Sequence, residues 1–303
     1  MNPIVLHEVG PRDGLQMERQ IVSTARKESW IRKAMASGID IVQVGSFVHP
    51  DKVPQMADTD KLFRRLTADK AFACVLSGLV LNEKGLERGL DCGVELFCMG
   101  ASASETHSLA NTGLGSEEAV TRILATARLA AAAGRKVQLS VQSAFGCGFE
   151  GPIPEERVLD MARAYGDAGF RSISLADTAG HARPDQVERL FAALFGIDPT
   201  IECTCHFHNT YGLGMANLYA AMRAGVTSFE TSFGGLGGCP FTKLAAGNVA
   251  TEDFVHALHL EGKRPDVDLD RLIELAREVA AHFGRDLPGF VYKTGPVPTK
   301  VPV

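Results

Sequence analysis

A closed (β/α)8 barrel is the fold class this sequence predicts, and three observations predict it. Eight short segments rich in β-branched and apolar residues recur along the 303 residues. Their starts run from position 4 to position 228, so seven steps cover 224 residues and average 32. Helical periodicity fills the gaps, and strand–helix alternation at this period implies right-handed βαβ units and a parallel sheet. Eight such units favour closure. An open doubly wound sheet is the runner-up, but the GxGxxG loop expected after its first strand is absent.

The predicted strands are 4–10, 39–45, 72–77, 94–99, 136–141, 171–176, 201–206 and 228–233. Between the fourth and fifth, residues 116–133 carry Val120, Ile123, Leu124, Ala127 and Ala131 close to helical spacing. Ser116 suits the N-cap, Glu117 and Glu118 suit the positive helix start, and Gly134 suits the exit. The next helix opens at Pro154, presents Val158, Met161, Ala162 and Tyr165 on one face, and ends at Gly169. After the eighth strand, residues 266–283 read as an extra helix, and 266–303 as that helix plus a Pro-rich tail. No linker or low-complexity segment divides the chain, so 1–303 reads as one barrel domain.

Composition excludes several function classes. There are 31 basic against 36 acidic residues, a net charge of −5, with no Lys/Arg run, which argues against a nucleic-acid partner. The apolar stretches fall well short of the roughly 20 residues that span a bilayer, so no membrane partner is expected. The opening segment lacks the pattern of a secretory signal. Seven cysteines in a chain of this length do not form a disulfide scaffold, which places the expectation in a reducing cytoplasm.

Active sites of such barrels sit at the carboxyl ends of the strands. Arg12 and Asp13 follow strand one, Gln43 lies near the end of strand two, and Asp177 ends strand six. Strand seven runs into His206 and His208, and strand eight into a Gly-rich loop, Gly234–Gly238, with Cys239 and later Asn248. Side chains alternate along a strand, so His206 and His208 point the same way and suit one metal ion; a satisfied buried pair is the plainer reading. Cys203 and Cys205 have the opposite parity and read as core residues. With Asp13 as carboxylate and Asn248 as amide oxygen, the set is a mixed N/O site. It suits Mg2+ or Mn2+, and its imidazoles also permit Zn or Fe. Two histidines and a carboxylate also match the non-haem iron oxygenase triad, although a fourth ligand and a cysteine loop argue against it. The other seven histidines, at 7, 49, 107, 181, 256, 259 and 282, read as solvated or structural.

These residues sit in segments that resemble the 3-hydroxy-3-methylglutaryl-CoA (HMG-CoA) lyase family, metal-dependent TIM barrels related to isopropylmalate and citramalate synthases. The segments are EVGPRDGLQ at 8–16, SFVHPDKVPQMAD at 46–58, SLADTAG at 174–180, HFHNTYG at 206–212 and GGLGGCPFTKLAAGNVATED at 234–253. The resemblance implies retro-Claisen cleavage of a 3-hydroxyacyl-CoA to acetyl-CoA and acetoacetate, in leucine degradation and ketone-body metabolism. It implies metal ligation by Asp13, His206, His208 and Asn248, with Mg2+ or Mn2+ as cofactor. It implies enolate stabilisation by Arg12, a catalytic loop thiol in Cys239, and Asp177 beside the reacting hydroxyl. Gln16, Arg19, Gly237 and Gly238 are the candidate contacts to an acyl-CoA substrate, with Arg19 a partner for its phosphates. A homo-oligomer, specifically a dimer, is expected.

This chain departs from the family pattern at three places. Gln43 stands where the family has glutamate, which removes a negative charge and a proton acceptor. Met17 stands where asparagine is common, and Ser140 and Gln142 replace aromatic and serine types. A related lyase, aldolase or synthase with another acyl-CoA or keto acid, and a weakly catalytic CoA-ester-binding homologue, are the alternatives.

Overall fold

Eight parallel strands close on themselves in chain order in the computed structural model, which describes residues 4–68, 73–238 and 247–298. They are β1 Val5–Glu8, β2 Ile41–Ser46, β3 Val75–Leu79, β4 Leu96–Ser102, β5 Lys136–Gln142, β6 Ser172–Asp177, β7 Glu202–Phe207 and β8 Ser228–Thr231. Closure comes from β8 pairing in parallel with β1, Val5 opposite Ser228 through Glu8 opposite Thr231. Each strand differs from its predicted bounds by a few residues at most, and Phe72, expected to open β3, lies outside the described residues.

Helices occupy every predicted gap. Ser116–Ala132 turns its apolar stripe inward, but Ala119, Ile123, Leu124, Ala127 and Ala130 form it. Val120 is half-buried and Ala131 exposed, so the stripe is rotated by one position from the predicted one. Ser116 is inside the helix and Gly115 takes the cap position, while Gly134 exits with φ of +72°. Pro154 is itself the cap of Glu155–Asp167, where its fixed φ costs no hydrogen bond. The predicted extra helix is Leu269–Phe283, capped by Asp268, whose side chain accepts from the Arg271 N–H. Part of the predicted Pro-rich tail is folded. A short helix, Val291–Thr294, follows, and Asp253 accepts the backbone N–H groups of Phe290 and Val291, tying the tail to helix Thr251–Leu260. No helix among the described residues is long and apolar enough to cross a membrane.

The layer between sheet and helices is apolar, with Trp30, Phe63, Phe97, Phe191 and Phe229 fully buried. Cys203 and Cys205 lie in this layer, and burial pushes the Cys203 thiol up to about 12. The barrel interior is different. Such interiors are usually filled by bulky aliphatic side chains. Here His7, Ser77, Gln138 and Thr204, one from each odd-numbered strand, turn inward and hydrogen-bond in pairs, His7 with Ser77 and Gln138 with Thr204. This polar layer lies beneath the carboxyl ends of the strands, and Gln138 of it reaches the cavity above.

Candidate active site

The site begins with a turn. Beyond β1 the chain makes a wide π-helical turn, Gly10–Gly14, in which the Val9 carbonyl accepts from the N–H groups of Arg12, Asp13 and Gly14. Such turns are rare and recur at functional sites. This one brings Arg12 and Asp13 over the mouth of the barrel. Glu8, just before it, points the other way and clamps the turn. One of its oxygens accepts from the backbone of Gly10 at 2.7 Å and of Phe233 at 3.0 Å, and the other accepts from the Thr251 hydroxyl at 2.7 Å. Glu252 in turn accepts from the backbone N–H of Gly234 at 3.0 Å. Two fully buried carboxyls therefore fasten the loop after β1 to the loop after β8. Burial raises Glu8 to about 7 and Glu252 to about 8.

His206 at the end of β7 and His208 just beyond it face the same way, their ring centroids 5.0 Å apart. Nε2 of His208 lies 3.5 Å and Nε2 of His206 4.0 Å from Asp13 Oδ2. Asp13, His206 and His208 are all buried, offer one ligand atom each within 4.8 Å of one another, and could hold a metal ion. Asn248 is brought alongside by an antiparallel bridge to His208. Its amide nitrogen donates to Asp13 Oδ2 at 2.8 Å and to the Leu236 carbonyl at 3.0 Å. Its Oδ1 is buried with no partner among the described residues, as is His208 Nδ1. A buried, orphaned amide oxygen beside a carboxylate and two imidazoles fits a divalent cation, because leaving such an oxygen unsatisfied costs free energy.

Charge at the site is set by few groups. Burial opposes the ionised form of Asp13, but the Arg12 guanidinium and the two imidazoles outweigh it and hold the carboxyl well below the usual range. Arg12 donates through Nη1 to Asp13 Oδ1 at 2.6 Å and through Nε to the side-chain oxygen of Gln43. Gln16 also donates to Asp13 Oδ1, at 3.3 Å. Gln43 is buried on the inner face of β2 and lines the cavity. Burial disfavours a charged Glu230, yet its hydrogen bond to His206 and its proximity to His7 bring its carboxyl down to about 2. His7 itself is lowered to about 4, chiefly by burial.

Above the metal set opens a cavity of about 480 Å³. Arg12, Asp13, His206, His208 and Glu230 line its base, and Leu79, Met99, Gln138, Ser140 and Gln142 its wall. Gln16, Met17, Lys52 and His107 also face it, as does Gly238. Gly237 sits against the ligands: a Cβ there would lie 2.5 Å from Asn248 Nδ2 and 3.3 Å from Asp13 Oδ2. Its φ of +130° also disfavours any other residue.

Two sequence expectations differ from this placement. Asp177 does not line the cavity. Its neighbour Ala176 does, and alternation turns Asp177 to the outer side of β6. There its oxygens accept the backbone N–H groups of His181 at 2.8 Å and Ala182 at 3.1 Å, so it braces the loop after β6. Burial raises it to about 7. Arg19 is exposed and outside the cavity lining. Cys239 lies outside the described residues. Sequence reasoning missed Glu230 and His7, which alternate correctly for the barrel interior, and His107, which lines the cavity. The signal for the first two is a charged or titratable residue inside a strand otherwise composed of core residues.

Three comparisons bear on this geometry. The family model described as HMGL-like matches residues 3–279. The hydroxymethylglutaryl-CoA lyase YngG of Bacillus subtilis is 34% identical over 285 residues, covering 94% of this chain and 95% of that protein. The (R)-citramalyl-CoA lyase of Chloroflexus aurantiacus is 35% identical and covers 98% of this chain and 96% of its own. Among solved structures, an HMG-CoA lyase from Acinetobacter baumannii in complex with coenzyme A and 3-methylmalate superposes with a TM-score of 0.92. It is 35% identical, covering 99% of this chain and 98% of that one. The chain belongs to the HMGL-like family of lyases.

Proposed function

We propose that this lyase cleaves 3-hydroxy-3-methylglutaryl-CoA to acetyl-CoA and acetoacetate, using Mg2+ or Mn2+. The observation that carries the reading is the convergence of Asp13, His206 and His208 at a cavity that also holds the Arg12 guanidinium, with the Asn248 amide hydrogen-bonded to Asp13 and its Oδ1 unpartnered among the described residues. Relatives named for two acyl-CoA lyases, and a structural neighbour bound to coenzyme A, support the same substrate class. Six free cysteines among the described residues suit a reducing cytoplasm, and a homodimer remains part of this reading.

The reaction releases the hydroxyl proton, breaks the C2–C3 bond and leaves its electron pair on the thioester fragment as an enolate. The hydroxyl carbon becomes the ketone of acetoacetate, and protonation of the enolate carbon gives acetyl-CoA. Asp13, His206, His208 and Asn248 would hold the metal, which when bound would polarise the substrate's hydroxyl and carbonyl oxygens and lower the hydroxyl pKa. Arg12 is held at two of its nitrogens by Gln43 and Asp13, so its charge is oriented before the enolate oxygen forms. Gln16 and Gly238 face the cavity as substrate contacts. Gly237 keeps the space beside the ligands clear. Cys239 delivers the proton to the enolate carbon in this reading.

A panel of 3-hydroxyacyl-CoA thioesters, including the hydroxymethylglutaryl and citramalyl esters, tests it by acetyl-CoA release with Mg2+ or Mn2+. The hydroxymethylglutaryl ester is expected to give the highest kcat/KM. A clear preference for another ester reassigns the substrate. Release from none of them removes the lyase reading.

A further inference from the structure

The metal-binding reading leaves a buried carboxylate beneath it unexplained. Glu230, on β8, is 6% exposed and points into the barrel. Its Oε2 lies 2.9 Å from Nδ1 of His206. Its Oε1 accepts from Gln138 Nε2 at 2.7 Å and lies 3.4 Å from His7 Nδ1. The partners are themselves oriented. The Thr204 hydroxyl donates to Gln138 Oε1 at 3.3 Å, which turns the amide nitrogen toward Glu230. His7 meets the Ser77 hydroxyl through its other nitrogen at 2.8 Å.

We infer that Glu230 is the positioning residue of the metal site, fixing His206 with its proton on Nδ1 and its Nε2 lone pair directed at the ion. An ionised carboxylate can only accept hydrogen bonds. The 2.9 Å contact therefore requires the proton to be on Nδ1. In the neutral ring Nε2 is then without a proton, on the side that faces Asp13. Carboxylates that hold a ligating imidazole in this way fix its ring angle and raise its basicity, and losing one typically weakens metal binding 10–100-fold. The two histidines differ in this respect. Nδ1 of His208 has no partner among the described residues, so only His206 is preset.

With Gln43 neutral, Asp13 and Glu230 are the anionic groups lining the base of the cavity, and Arg12 pairs with Asp13. Glu230 thus supplies negative charge from the barrel floor that β2 does not supply from its wall. The polar layer of Gln138, Thr204, His7 and Ser77 is the scaffold that aims that carboxylate.

The inference rests on the metal-binding part of the proposed function and is tested without substrate. Long-range 1H–15N spectra of metal-free, 15N-histidine-labelled protein, recorded above the imidazole titration, should show His206 protonated at Nδ1. Protonation at Nε2 instead would overturn the proposal, and this reading needs no variant to fold. In parallel, Mn2+ binding to native protein and to Glu230→Gln is measured by calorimetry, with thermal melts as a control on folding. Affinity should fall about tenfold or more in the variant while its melting temperature stays near the native value. Unchanged Mn2+ affinity would contradict the proposal even if turnover fell. Conversely, a native protein with the Nδ1 proton and Mn2+ binding, but no acetyl-CoA release, would leave Glu230 in this role and refute only the lyase reading.

Discussion

Asn248 satisfies two hydrogen bonds with its amide nitrogen and leaves its oxygen bare inside the protein. His208 turns its Nε2 toward the same carboxylate, 3.5 Å from Asp13 Oδ2. Such residues gain when a cation arrives. Replacing His208 with alanine is expected to weaken Mn2+ binding by about 2 kcal/mol or more, measured by titration calorimetry, and Asn248→Ala should weaken it in the same direction. Gln43 is one of the positions where the sequence departs from the pattern that the resemblance implies. Its oxygen already holds Arg12, so the amide does the orienting work without adding charge. With Asp13 and Glu230 negative and Arg12 positive, the base carries a net charge of −1, and a divalent cation would make it +1. Gln43→Glu would cancel that last charge. It should tighten metal binding and shift relative kcat/KM across the thioester panel by at least about tenfold, roughly 1.4 kcal/mol. Identical profiles would show that the position is indifferent to the chemistry. The pairing of His206 with His208 is legible in sequence because strand periodicity is two residues. Glu230 is not, because nothing in a linear sequence says that a glutamate on β8 meets a histidine on β7.

At the scale of elements, strand identity and order follow from hydrophobic periodicity, while the ends do not. Asp177 shows the consequence. Its position at the end of β6 is predicted correctly, but strand alternation turns it outward, where the backbone of residues 181 and 182 takes its oxygens. The turn of Gly10–Gly14 is equally silent in sequence, since it depends on Glu8 reaching across to the backbone of Phe233. That clamp makes a pH prediction. Glu8 and Glu252 have carboxyls raised by burial to about 7 and about 8 from the ordinary 4.5. Between about 4.5 and 8 the folded protein therefore holds protons that the unfolded chain has released, and stability from these groups falls as pH rises. Below 4.5 both states are protonated and the contribution is fully present. Glu252→Gln removes one such group. Thermal melts from pH 5 to 8 should show the native protein losing stability relative to the variant as pH increases. A constant difference across that window would mean that Glu252 titrates normally in the fold.

Across the whole molecule, the barrel assembles one site from distant stretches of chain. Arg12 and Asp13 follow β1, Gln43 lies on β2, His206 on β7, Glu230 on β8, and Asn248 lies some 235 residues after Asp13. Closure of β8 onto β1 is what brings the first and last of these together. Because the ligands come from separated segments, metal binding should stabilise the whole fold. At free Mn2+ about 100-fold above its dissociation constant, the gain is roughly 2.7 kcal/mol, a rise of several degrees in melting temperature that chelation reverses. A melting temperature indifferent to Mn2+ and EDTA would place the ion outside the folded core. Product analysis tests most directly whether this site carries out the cleavage. Native protein stripped of metal is mixed with 3-hydroxy-3-methylglutaryl-CoA, then given Mn2+, and both products are quantified. Acetyl-CoA and acetoacetate should appear in equal amounts, only after the metal is restored, and at a rate lowered roughly 10²–10³-fold by Arg12→Gln. Intact thioester after metal addition, or equal product formation with and without it, would contradict the assignment.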